Sequence, residues 1–337
     1  MVHLRIVAPA EIAGQALELL KGSGSVCNVI LFEGAALKPE GDVILCDVAR
    51  EDASVIVEDL MELDIPAQGS IALEYIDTQL SDAADRAEKH APGLPSDAVI
   101  WEDVEHRTEE MTELSLFFVA FMVLAMMIAT VGILLDQPIL IVGAMVVGPE
   151  FGPLAGLCVA IVERRGSLVR RSLLALAVGF PVGILATIGA TGFFDWVDLI
   201  PNRFDPADHP LTNFISHPDV FSVFVAFVAG VAGVLSLTSA KSGALIGVLI
   251  SVTTIPAAAN IGVAAALGDA GEAAGAGLQL GLNLAALVVA GVATLYIQRR
   301  VYVARRRKHL ADPARRSAVR ARTTPRALSA PVRSRRR

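Results

Sequence analysis

The sequence predicts an α-helical polytopic membrane protein of six transmembrane helices in an inverted 3+3 repeat, behind an N-terminal α+β ferredoxin-like cytoplasmic domain. Three observations carry this. Mean hydropathy is +0.58 over 337 residues and only 19% are charged, against about 25% in ordinary soluble domains. Residues 1–112 hold 23 of the 35 acids and only 7 of the 28 Lys and Arg, and long apolar runs begin after them. From residue 298 onward there are 15 Lys or Arg and one acid, Asp312. The net charge of −7 is therefore a sum of opposed ends and says nothing about partners.

Residues 1–77 form the first expected domain. A strand-like run at 2–8 precedes Pro9, which opens a helix with Ile12, Ala13, Ala16, Leu17 and Leu20 at helical spacing. Runs at 26–32 and 42–48 read as strands separated by a turn over 34–41. Ala53, Ile56, Leu60 and Leu63 line a second helix whose acids form a solvated face, and 69–76 is a last strand. The order βαββαβ is that of a ferredoxin-like sandwich. Residues 78–112 read as an acidic linker with some helix. No signal peptide precedes the domain, and Cys27, Cys46 and Cys158 have neither disulfide nor zinc spacing.

Residues 113–297 are the expected transmembrane domain, since a span needs about 20 apolar residues. Segments 114–135, 138–162, 172–194, 220–238, 242–268 and 273–297 qualify. Arg164, Arg165, Arg170 and Arg171 in the second loop, Lys241 in the fourth and the tail place both termini in the cytoplasm by the positive-inside rule. The remaining residues, 298–337, read as a basic disordered cytoplasmic tail that touches anionic lipid rather than nucleic acid.

Two segments are interrupted at mid-depth. Gly148, Pro149, Glu150, Gly152 and Pro153 break the second, and Thr253, Thr254 and Pro256, followed by Asn260, break the fifth. Irregular backbone at that depth must lie within protein or against a polar cavity. Phe118-Val119-Ala120-Phe121 matches Phe224-Val225-Ala226-Phe227, and Pro149 matches Pro256, at offsets of 106 and 107 residues. Three helices per half then reverse the second half, as in secondary transporters with sites at discontinuous helices. Glu150 is the one ionisable residue inside a segment and away from its ends, which makes it a functional candidate, with a capping role as the structural alternative. Thr253, Thr254 and Asn260 are candidates to complete its site or to satisfy the second break.

Gln279 and Asn283 share a helix face suited to interhelical hydrogen bonding. Four pairs, Gly152/Gly156, Gly179/Gly183, Gly243/Gly247 and Gly277/Gly281, are suited to close helix packing. Asp205, Asp208, His209, His217 and Asp219 read as polar loop composition rather than a metal site.

The run Gly143-Ala144-Met145-Val146-Val147-Gly148-Pro149-Glu150-Phe151-Gly152-Pro153, after Leu135-Asp136-Gln137-Pro138 and with the later proline segment at 250–262, resembles a prokaryotic membrane-protein family, domain of unknown function 389. The resemblance spans about residues 112–297. It implies a multi-pass protein of the plasma membrane and, since the family has no established activity, supplies no substrate and no catalytic residues. The function expected is a transporter or channel for an ion or small solute with a cytoplasmic regulatory or assembly domain. The alternative is a non-transporting scaffold or sensor whose bundle anchors and oligomerises that domain. Expected partners are the bilayer, an ion or small solute and further copies of the chain; no enzyme chemistry and no cofactor is expected.

Overall fold

The computed structural model describes residues 1–91, 93, 98–200, 219–239 and 254–310. They form two compact units, Met1–Ile100 with the chain from Arg300 onward, and Trp101–Arg299.

The first unit contains β1 (Val2–Ala8), α1 (Ala10–Gly22), β2 (Val26–Leu37), β3 (Glu40–Val48), α2 (Arg50–Met61), a single turn α3 (Ile65–Gln68), β4 (Ser70–Tyr75) and α4 (Asp82–His90). Its sheet has the order β2-β3-β1-β4 with every pairing antiparallel. Val2, Leu4, Ile6 and Ala8 alternate onto one face beside Ile44, Cys46 and Val48, and both α1 (Ala13, Ala16, Leu20) and α2 (Ala53, Ile56, Leu60) close over that face. The βαββαβ order therefore holds, with α3 added.

The turn expected at 34–41 is shorter than its composition suggests. β2 runs on to Leu37 because register shifts between Phe32 and Ala36 absorb the extra residues, with Gly34 at φ +61° donating its N–H to Asp42 Oδ1 at 2.7 Å.

Two expectations about charge are corrected together. The acidic face of α2 is not simply solvated, since Glu51 and Asp59 are buried, and the tail is not disordered from residue 298, since helix continues to Leu310. Tyr302 donates to Glu58 Oε2, Arg305 Nη1 donates to the Glu51 carbonyl at 2.7 Å, and Arg306 pairs with Glu58 and with Glu62 at 2.8 Å. Cations in the last turns of a helix also complement its dipole. Residues 311–337 lie outside the described residues.

Burial pushes the Cys46 thiol up to about 12, with Asp47 adding to the effect, and raises Cys27 as well. Native protein treated with a thiol reagent at pH 8 should leave Cys46 unmodified by peptide mass spectrometry and modify it once denatured. Native-state labelling of Cys46 as fast as that of a free thiol would contradict this packing.

The second unit comprises α5 (Trp101–Met111), α6 (Leu116–Leu134), α7 (Pro138–Val147), α8 (Phe151–Val162), α9 (Gly166–Trp196), α10 (Val220–Thr238), α11 (Thr254–Leu267) and α12, which begins at Ala270 and continues as the helix just described. Among the described residues four helices, α6, α9, α10 and α12, are long and apolar enough to cross a membrane. The pair α7 and α8, bent by 52°, makes a fifth if it is one span. Of the fifth predicted segment only α11 is described, at 14 residues; its beginning, with Gly243 and Gly247, lies outside the described residues. Arg170 and Arg171, expected in a loop, lie in the first turns of α9, which starts earlier than its apolar run. The 78–112 linker contains α4 and α5.

Helix bounds repeat. α6 and α10 have the same length, and α10 starts and stops 104 residues after α6. Ser115 and Asp219, also 104 apart, each accept the N–H of the residue three further on. Arg164 and Gly268 both have positive φ, and Arg165 N–H to Ala160 carbonyl and Asp269 N–H to Ala264 carbonyl are both 2.9 Å. Packing follows the same shift. A Cβ on Gly183 would meet Met126 of α6, and one on Gly230 would lie 2.9 Å from the Leu287 carbonyl of α12. A Cβ on Gly262 of α11 would lie 2.7 Å from Thr187 Cβ of α9, and one on Gly291 of α12 would lie 2.8 Å from Cys158 Sγ of α8. The shift is 104, not 106 or 107. The matched tetrapeptides fall two residues out of that register; Phe121, Phe224 and Phe227 are exposed apolar residues, whereas Phe118 is buried.

Candidate functional site at the broken helices

α7 stops at Val147 because the next two residues are Gly148 and Pro149. Pro149 has no N–H for the carbonyl of Met145, and Pro153 has none for that of Pro149, so Gly152 N–H turns to the Pro149 carbonyl instead, at 3.3 Å. Pro153 is the third residue of α8, where a missing N–H costs nothing.

Glu150 occupies the N-cap position of α8 but its carboxylate makes no capping bond. Instead Oε1 accepts a 2.8 Å hydrogen bond from Thr254 Oγ1, the first residue of α11. Glu150 is 3% exposed, Thr254 is fully buried, and Glu150 Oε2 has no hydrogen-bond partner among the described residues. Residues 150 and 254 are themselves 104 apart, so this hydrogen bond between the two breaks joins positions related by the same shift as the helix ends. Gly148 is required beside them, since a Cβ there would lie 2.6 Å from Ile255 Cγ1 and crowd Glu150 Oε2. Among the described residues Glu150 has no ion pair, and no group of three or more metal-ligating side chains occurs.

The site therefore gathers Gly148, Pro149, Glu150, Pro153, Thr254 and Pro256. Asn260 is not part of it, because its Nδ2 donates to Glu272 Oε1 at 2.8 Å. Gly152 is not either, because it lies against Met111 of α5, its missing Cβ position 2.7 Å from the Met111 carbonyl. Thr253 lies outside the described residues, as do Lys241, Asp205, Asp208, His209 and His217. Gln279 Nε2 donates to Asn283 Oδ1 at 3.3 Å within α12. Two features went unread in the sequence. Glu272 counts there only as a loop acid, and α5 as linker, although the Gly152/Gly156 pair already signalled a close neighbour for α8.

Residues 145–289 match the family model described as Domain of unknown function (DUF389). This stretch of the chain is similar to DUF389. The match runs from the end of α7 into α12, so it contains both Glu150 and Thr254. Neither curated proteins nor solved structures give a match to the chain.

Proposed function

We propose that this protein is a plasma-membrane transporter or channel for a cation, a proton or a small solute, with its path at the contact of the two broken helices and both termini in the cytoplasm. The single observation that carries the reading is the Glu150 carboxylate, which is buried, unpaired by any described cation, and half satisfied by Thr254. A carboxylate held in an apolar bundle is costly unless it is protonated or meets a cation. An inverted repeat of six spans is supported by the constant 104-residue shift and by the reciprocal packing of α8 on α12 and α11 on α9, each half's broken helix lying on the other half's last helix. Orientation is supported by Arg164, Arg165, Arg170 and Arg171 at one helix end. No enzyme chemistry is part of the proposal, and the cytoplasmic domain serves regulation or assembly.

A scaffold or sensor is the second reading, favoured by the tight packing of Ile255 against Gly148 beside the carboxylate. Flux of radiolabelled monovalent cations and small metabolites into proteoliposomes separates the two. Saturable or voltage-driven flux above protein-free vesicles supports a path; none for any of them, with folded protein in the bilayer, favours the scaffold.

A further inference from the structure

We propose that α5 is a plug that closes one approach to Glu150 and is held in place by Arg165. The proposal rests on the pathway reading and names the regulation of that same site. α5 runs antiparallel along α8. Glu105 from the middle of α5 and Glu109 from its last turn pair with Arg165 beyond the far end of α8, the first at 3.2 Å. Further along, the missing Cβ of Gly156 faces the Thr112 methyl and lies 3.4 Å from the Thr108 carbonyl, and at the end of α5 Met111 lies on Gly152. Gly152 is two residues from Glu150, so the last turn of α5 sits on the first turn of the helix that begins at the carboxylate.

The contact is built to separate. Thr108 and Thr112 are buried against α8, yet their hydroxyls donate to carbonyls of their own helix, Val104 and Glu109, each at 2.8 Å. These two hydroxyls therefore keep their partners when α5 leaves α8. The ionic grip is half-exposed, with side chains about a third open to solvent on both sides, where salt screens a pair. α5 also has water as an alternative environment, since His106 and Glu110 on its outer face are largely exposed. The device belongs to one half of the repeat. The positions matching Gly152 and Gly156 are Pro256 and Asn260, and Asn260 bonds Glu272 of α12 with no helix like α5 over it among the described residues.

The test uses full-length protein in proteoliposomes with Phe151→Cys as reporter, its modification by a cationic thiol reagent followed at that peptide by mass spectrometry. Phe151 is buried beside Glu150. Arg165→Ala is expected to raise the labelling rate at least about tenfold. Arg165→Glu should do the same, and Arg165→Glu combined with Glu105→Arg and Glu109→Arg should return it to the starting rate. Raising salt from about 0.05 to 0.5 M should speed labelling of the Phe151→Cys protein with Arg165 intact, which keeps the test open if Arg165 variants do not fold. Labelling indifferent to Arg165 and to salt overturns the plug. Labelling that responds as expected while no ion or solute flux appears in the same vesicles supports the plug and overturns the pathway instead.

Discussion

On the proposed pathway, Glu150→Gln should cut cation flux at least about tenfold, or abolish its pH dependence if the coupled ion is a proton, while folded protein is recovered in normal amount. Glutamine keeps the shape and the oxygen that accepts from Thr254 Oγ1, so what disappears is the charge and the capacity to bind a proton. Thr254→Val tests the other side of the pair. It removes the hydrogen bond that Oε1 accepts in a buried site, a cost of about 1–3 kcal/mol, and should lower thermal stability as well as flux. Flux and pH profile unchanged in Glu150→Gln would assign the carboxyl to structure. Flux in proteoliposomes and melting in detergent are the measurements.

The second large effect concerns the packing of α11 on α9 and of α12 on α8. Gly262→Leu and Gly291→Leu should both prevent assembly of the bundle, because even a Cβ would lie 2.7 Å from Thr187 Cβ in the first case and 2.8 Å from Cys158 Sγ in the second. Overpacking a tight core costs about 1–3 kcal/mol, and more where backbone must move. Here the Ile184 carbonyl stands 2.9 Å from the Gly262 position, so backbone must move. Gly281→Leu is the control, with nothing within 4 Å of its Cβ position on the same helix as Gly291, and should assemble normally. Size-exclusion profiles of the detergent-solubilised variants decide; a monodisperse Gly262→Leu protein would refute the packing.

How much of this was legible follows from how constrained each residue is. Glu150 stands out because a charge flanked by Pro149 and Pro153 in an apolar run has few structural explanations, and Thr254 follows from the second proline segment. Asn260 reads as part of the same site because sequence proximity to Pro256 carries no direction, whereas the fold turns it to Glu272. The strands of the first unit were legible through alternation at Val2, Leu4 and Ile6. The hairpin extension past Gly34 was not, since a glycine marks a turn and a bulge alike. The acidic face of α2 and the basic run after Gln298 each look solvated alone, and nothing local announces that residues some 244 apart neutralise one another. The offsets of 106 and 107 rest on phenylalanines of which Phe121, Phe224 and Phe227 are exposed and recur by composition, whereas the helix ends and the turns at Arg164 and Gly268 are 104 apart.

Those two turns have a consequence for biogenesis. Gly268 adopts its left-handed conformation at φ +81° freely, but Arg164 does so at φ +56°, against a Cβ–carbonyl clash of roughly 1–2 kcal/mol. A glycine at 164 would make the better fold. Under the proposed orientation, an arginine there adds a positive charge at a helix end that stays in the cytoplasm, which a glycine would not. Arg164→Gly would then relax the backbone while weakening the signal that orients the neighbouring helices.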